Sequence, residues 1–444
     1  MKNQIRLSDH FTYKNLLRFV LPSIVMMVFT SIYGVVDGLF VSNYAGKTAF
    51  AAINIVMPFI MVLGGIGFMI GTGGTALVSK VLGEGDGKKA NRYFSMMVLF
   101  TLIVGAVLTV IGVVFMKPVS RLLGATDDMI DDCVVYGRIV NGFTISFMLQ
   151  NVFQSFLIAA EKPRLGLGAT VAAGVTNMVL DALFVAVFDW GVAGAAIATG
   201  ISQCVGGILP LIYFMRPNSS RLHLVPAKLE LKPILSACGN GSSELMSNIS
   251  SSIVSMLYNF QLLKYIGEDG VSAYGVLMYV QFVFVAIFIG YSIGCAPIVG
   301  YNYGAQNFAE LKNMRKKSIR LMTASGIALA ALAFLLGPPI AKIFVGYDKG
   351  LFELTVHAFQ LFSFAFIFAG FNIFASSFFT ALNNGAVSAA ISFLRTLLFQ
   401  TSSVMLLPLI FGVDGIWYAV TAAEVFASVI STVFLVIKQK KYNY

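Results

Sequence analysis

The chain has 444 residues, of which 58% are hydrophobic and only 11% are charged. A soluble globular protein of this length needs a charged surface, and this composition excludes one. The formal net charge of +10 comes from Lys and Arg gathered at alternate ends of apolar segments, so it is not read as a nucleic-acid footprint.

The apolar segments are about 20 residues or longer, enough to cross a hydrocarbon core of about 30 Å. They fall at 15–44, 48–81, 93–116, 131–160, 165–188, 192–214, 234–266, 271–302, 319–336, 351–382, 386–411 and 413–437. This predicts an all-α polytopic membrane protein with twelve transmembrane helices. The opening stretch MKNQIRLSDHFTYKNLLRF is too polar for a secretory signal and has no small-residue cleavage site after it. The four cysteines (Cys133, Cys204, Cys238, Cys295) are scattered without a CxxC pair and read as small packing residues.

Assigning both termini and every second loop to one side places 22 of the 30 Lys and Arg there. The opposite side holds six: Lys47, Lys117, Arg121, Lys264, Lys342 and Lys349. Arg138 and Arg395 fall inside spans. The positive-inside rule then predicts cytoplasmic termini and an even span count, in a plasma or inner membrane. Asp127, Asp128, Asp131 and Asp132 read as a solvated acidic loop on the outer side.

Shifting the chain against itself by 221 residues aligns its punctuation without a gap. Gly46 meets Gly267, Ala52 meets Ala273, Met57 meets Met278, and Gly73 meets Gly294. Gly83 meets Gly304, Gly105 meets Gly326, Pro118 meets Pro339, Asn151 meets Asn372, and GVAG at 191–194 meets GVDG at 412–415. The chain therefore reads as two copies of a six-helix unit: an N-terminal lobe at 1–215, a cytoplasmic linker at 216–233 and a C-terminal lobe at 234–444. An even number of spans per copy gives both lobes the same orientation, related by a pseudo-two-fold axis along the membrane normal. Two like lobes around a central interface suit alternating access.

Four acidic residues lie in the interior of spans, Asp37, Asp181, Glu244 and Glu424, and the others sit in loops or at span ends. An Asp at the centre of a spanning helix costs roughly 2.5–3.5 kcal/mol, so each is a functional hypothesis by default. Asp37 sits in TSIYGVVDGLFVSNYAG and Asp181 in NMVLDALF. The repeat reproduces neither, since their partners at the 221 offset are Tyr258 and Ser402. Charge chemistry is therefore expected in the first lobe. Asn177 and Asp181 are four apart and project from one helix face, and Thr199 in the next span adds a hydroxyl. Asp37, Asn177, Asp181 and Thr199 offer hard oxygen ligands of the kind Na⁺ takes. Two carboxylates close together in low dielectric suit a shared proton equally well. The structural alternative is that each Asp caps a helix break or pairs with Arg138.

Pro22 removes a backbone hydrogen bond 15 residues before Asp37 and predicts a kink, a candidate hinge. The glycine run GGIGFMIGTGG at 64–74 has no preceding strand and no following GK[ST], so it is a helix-packing segment, not a phosphate loop. Glu244, early in the seventh span, is a candidate for the substrate cavity. Met256, Tyr258, Met278 and Gln281 are candidates for its adaptable wall. Glu424 aligns with Gln203 and reads as an interhelical hydrogen-bonding residue.

SIYGVVDGLFVSNYAG, the inner loop GEGDGKKANRYF, NMVLDALFVAVFDWGVAGAAIAT and APIVGYNYGAQNFAELK resemble the multidrug and toxic compound extrusion (MATE) family over nearly the whole chain. The resemblance implies twelve helices in two lobes, exporting organic cations and drugs in exchange for Na⁺ or H⁺, with no cofactor. It implies that Asp37 is the carboxylate of the first span, Pro22 the bend before it, Asn177 and Asp181 the pair of the fifth span, and Thr199 the hydroxyl of the sixth. One branch of the family uses an acidic residue in the tenth span, where this chain has Asn372. The expected protein is a monomeric secondary transporter whose partners are small organic cations and the bilayer. A flippase for a lipid-linked precursor is the nearest alternative, with Arg138 and Arg395 its candidate head-group ligands. An intramembrane aspartyl protease does not explain the 221-residue repeat, and an ATP-driven pump lacks a Walker motif.

Overall fold

A computed structural model describes residues 5–45 and 47–444, apart from the side chains of Leu39 and Lys47. Lys2 of the basic side and Gly46 of the repeat pairs lie outside the described residues. Within them the elements are helices. In chain order the membrane helices are α1 (Tyr13–Ala45), α2 (Thr48–Gly83), α3 (Gly87–Val114), α4 (Ile130–Gly142 and Thr144–Ala159), α5 (Pro163–Val187), α6 (Gly191–Met215), α7 (Leu231–Tyr265), α8 (Glu268–Gly304), α9 (Phe308–Val345), α10 (Lys349–Phe362 and Ala365–Ala381), α11 (Gly385–Phe411) and α12 (Val413–Tyr442).

Among the described residues, nine of these are long and apolar enough to span alone, and eleven when α4 and α10 each count as one bent span. The remaining one, α7, has the length, with 35 residues, but a Ser- and Asn-rich sequence (GNGSSELMSNISSS) that dilutes its hydropathy. Several helices outrun the expected limits; α9 begins at Phe308, well before residue 319, because the helix continues through polar sequence at the basic end.

The 221-residue repeat is written in the backbone. Asp86 caps α3 by accepting the Lys89 amide, and Asn307 caps α9 by accepting the Glu310 amide. The left-handed residues Gly85 and Gln306 precede those caps, and Gly191 and Gly412 pair likewise. Helix α4 bends by 55° at Phe143 and α10 by 47° just before Ala365, again at equivalent places. Packing repeats too: α1 lies on α5 as α7 lies on α11, α2 on α4 as α8 on α10, and α5 on α6 as α11 on α12. The result is two six-helix lobes related by a pseudo-two-fold axis.

The lobes meet through α2 against α7, α8 against α1, and α2 against α8. The close approaches fall in the half of these helices nearest the basic loops. Gly73 faces the Ala237 carbonyl, Gly241 the Met69 carbonyl, and Gly290 the backbone of Ile24. The N-terminal segment reinforces that end. Leu7 and Phe11 are fully buried and join the second lobe's core. The Leu7 amide donates to Glu161 Oε1 of the first lobe at 2.8 Å. The Phe11 amide donates to Glu310 Oε1 of the second lobe at 3.0 Å.

Candidate cation site in the first lobe

Two helices that look continuous in sequence change their winding at the two aspartates. The regular part of α1 ends at Phe40, and Val41–Ala45 is a π-helical turn. The regular part of α5 ends at Asp181, and Ala182–Val187 is a second π-helical turn. The two π turns pack on each other, and α6 packs on both. Single π turns inside α-helices gather at functional sites because they re-aim side chains without breaking the helix.

The two carboxyls face each other. Asp181 is fully buried and Asp37 half-buried. Asn177 is buried one turn before Asp181, and Thr199 of α6 completes the set. Five oxygens here have no hydrogen-bond partner: Asp37 Oδ1, Asp181 Oδ1 and Oδ2, Asn177 Oδ1 and Thr199 Oγ1. Buried polar atoms are ordinarily satisfied, and five idle oxygens on the three packed helices α1, α5 and α6 are of the chemistry a positively charged guest takes. Each of the four residues named from sequence brings at least one of these atoms.

Arg138 does not answer the charge. It is exposed and its Nε donates to the Val113 carbonyl at 3.1 Å, which removes the pairing alternative. The surrounding wall holds residues that sequence reasoning missed. Tyr136 of α4 is buried beside Thr199 and within electrostatic range of both aspartates. Tyr33, one turn before Asp37, borders Gln150 of α4. In a chain with 17 tyrosines, nothing local separates these two from the rest.

Helix α1 runs unbroken through Pro22, which is buried. The change of winding in α1 is the π turn beyond Asp37.

The second-lobe cavity residues do not come together as expected. Tyr258 is 1% exposed and stacks on Tyr274 with ring centroids 5.0 Å apart and planes 3° apart. It is part of the second lobe's core, not of a cavity wall. Met256 is 70% exposed. Residues two apart on a helix point to nearly opposite sides, so Met256 and Tyr258 never share a wall. Met278 packs against the core. Gln281, on the same helix face three residues later, keeps a buried Oε1 without a partner. Glu244 is half-buried, and among the described residues its carboxylate forms no hydrogen bond or ion pair. Glu424 makes the interhelical bond expected of it, accepting from Asn372 Nδ2 at 2.7 Å, and also pairs with Arg395.

A two-lobed bundle of membrane helices with an unpaired acidic site inside one lobe defines a membrane transporter. The MatE family model matches the chain twice, over residues 22–183 and 245–404, and the chain belongs to that family. The two matches fall one in each lobe. The multidrug export protein MepA of Staphylococcus saprophyticus is 25% identical over 369 residues, covering 81% of this chain and 80% of the relative. A crystal structure of MATE in complex with MaL6 superposes with a TM-score of 0.93 at 19% identity over 100% of both chains. An outward-facing multidrug resistance MATE family transporter of the MOP superfamily gives 0.91 at 19% identity over 96% of each.

Proposed function

We propose that this protein is a cation-coupled multidrug antiporter that exports organic cations and drugs across the cell membrane by alternating access. The observation that carries this reading is the set of five unsatisfied oxygens of Asp37, Asn177, Asp181 and Thr199, all within one lobe. The coupling ion is Na⁺ held by those oxygens or a proton held on the carboxyl pair. Its inward movement supplies roughly 2.3 kcal/mol per charge per 100 mV. Placing the basic end in the cytoplasm puts both termini inside and makes the interlobe contacts a closed inner gate. The monomer contains all parts of the proposed site. Ion binding between the two π turns changes the packing of α1 on α5 and α6, and so the affinity of the central cleft for its substrate.

The relatives named for multidrug export support the substrate class. The flippase alternative loses its head-group ligands: Arg395 is committed to Glu424, and Arg138 to a backbone carbonyl.

The test is efflux of a monocationic dye from proteoliposomes with Na⁺ and pH gradients imposed separately. One gradient alone is expected to drive transport, and Asp37→Asn to abolish it while the variant still inserts. Wild-type efflux by Asp37→Asn overturns the proposal.

A further inference from the structure

The second lobe holds its own buried charges, arranged on opposite principles. Arg395 donates to Glu424 through Nη2 at 2.7 Å from Oε1 and through Nε at 2.8 Å from Oε1 and 3.0 Å from Oε2. Glu424 Oε2 also accepts from Asn372 Nδ2 at 2.7 Å, and Asn372 Oδ1 in turn accepts from Ser431 at 3.1 Å. The Glu424 and Asn372 side chains are 2% and 0% exposed. Every acceptor in this chain is used. The contrast with the five idle oxygens of the first lobe is complete.

Arg395 lies in the π-helical turn Phe393–Phe399 of α11, and that turn packs on α7. On α7, Glu244 is within electrostatic range of the guanidinium but not in an ion pair with it. One arginine therefore stands near two carboxylates and is held by only one. Released from Glu424, a guanidinium on a turn packed against α7 is an intramolecular competitor for Glu244, at an effective concentration in the millimolar range or above. A free organic cation at micromolar concentration loses that competition.

We propose that Glu424 is a positioning residue for substrate binding: it clamps Arg395 away from Glu244, so that Glu244 remains an uncompensated carboxylate for an organic cation. Asn372 and Ser431 fix the clamp by orienting Glu424. The inference rests on reading Glu244 as the substrate carboxylate. It predicts a sign pattern that a merely structural ion pair does not give. Glu424→Gln frees the arginine and weakens cation binding, although residue 424 does not touch the substrate. Arg395→Leu removes the competitor and keeps or tightens binding. The double variant regains what Glu424→Gln lost. Replacing both members of a buried ion pair by neutral residues is often close to neutral for stability, so the double variant is expected to fold.

The experiment measures polarisation of rhodamine 6G, a monocation, on the purified full chain in nanodiscs. Glu424→Gln is expected to weaken the dye about tenfold or more, and the double variant to return within about threefold of wild type, a coupling that a double-mutant cycle reads directly. A folded Glu424→Gln with wild-type affinity overturns the proposal, as does a double variant as weak as the single. If Glu424→Gln fails to fold, Arg395→Leu decides: dye affinity at or above wild type supports the clamp, and loss overturns it. Glu244→Gln separates the two layers. If it binds the dye like wild type, the reading of Glu244 fails and the clamp with it. If it loses the dye while Glu424→Gln keeps it, only the clamp fails.

Discussion

Gly83 of α2 and Gly304 of α8 are exchanged by the pseudo-two-fold, and each lies against the lobe of the other. A Cβ on Gly83 would overlap the Tyr301 carbonyl oxygen, and a Cβ on Gly304 would overlap that of Lys80. Lys80 and Tyr301 are themselves 221 residues apart. The contact is backbone on backbone, so no rotamer can relieve it. Gly304→Val should cost the closed basic end about 1–3 kcal/mol, the usual range for overpacking. The check is the labelling rate of a cysteine placed at Gly300, which packs on Ser79 across the same seam. Faster modification in the Gly304→Val background is the expected result.

The first-lobe site makes a prediction of opposite sign for stability and function. Without Na⁺, two facing carboxyls and two further idle oxygens are crowded together in a poorly solvated place. Asp181→Asn removes one acidic group from this crowded place and should raise the thermal midpoint, by an amount corresponding to about 1–2 kcal/mol, while ending coupled efflux. Added coupling ion should stabilise wild type by mass action and leave the variant unmoved. Thermal unfolding in detergent, with and without Na⁺ and at two pH values, reads all three. A variant that melts lower than wild type under these conditions contradicts the site.

Tyr258 offers a test that separates core from cavity. Its hydroxyl has no hydrogen-bond partner, and its ring is stacked on Tyr274 inside the second lobe. Tyr258→Phe should therefore leave dye efflux and its substrate profile within experimental error of wild type. Tyr258→Ala should lose about 3–5 kcal/mol, as removal of a buried aromatic does. A changed substrate spectrum for Tyr258→Phe would return the residue to the cavity wall.

What could be read from residues alone follows from what repeats and what stands out. The duplication was legible because Gly, Pro and Asn at bends and caps recur at one offset, and the structure uses several of those pairs for one purpose in both lobes. Asp37 and Asp181 were legible because a carboxylate in an apolar run is costly and stands out against its neighbours. The π turns beside them leave no such mark; their residues, VSNYA and ALFVAV, are compatible with ordinary helix. Nor do the bends of α4 and α10, since Phe143 and Phe364 are not helix breakers. Tyr136 is hidden for another reason: an aromatic residue is unremarkable in a membrane helix until its neighbour is known. The wall assigned to Met256 and Tyr258 failed because aromatic and Met content describes a helix, whereas a cavity selects one face of it.

The N-terminal segment carries the last prediction. Glu161 accepts the Leu7 amide and pairs with Arg221 of the interlobe segment at 3.3 Å. Across the seam, Glu310 receives the Phe11 amide at 3.0 Å, Asn313 Nδ2 at 2.7 Å and His10 Nδ1 at 2.7 Å. Asn302 and Lys317 of the second lobe donate to the Leu7 and Phe11 carbonyls. Opening the basic end means breaking one of these two anchorages or carrying the segment with one lobe. Among the described residues the second lobe holds it by the burial of Phe11 and by bonds to both its amide and its carbonyl groups, so the Glu161 side is expected to release first. Glu161→Gln keeps one acceptor but loses the charge that holds the Leu7 amide and Arg221. Each such charge-assisted bond is worth about 1.5–3 kcal/mol, and that shift changes a two-state ratio by about tenfold or more. Spin labels at Lys88 and Lys312, both exposed on the basic end, report the distance between lobes. Glu161→Gln should broaden that distribution toward longer separations and speed the return step of dye exchange. Glu310→Gln should instead loosen the segment from the second lobe. An unchanged distance distribution in Glu161→Gln would mean that the segment travels with the second lobe without restraining the first.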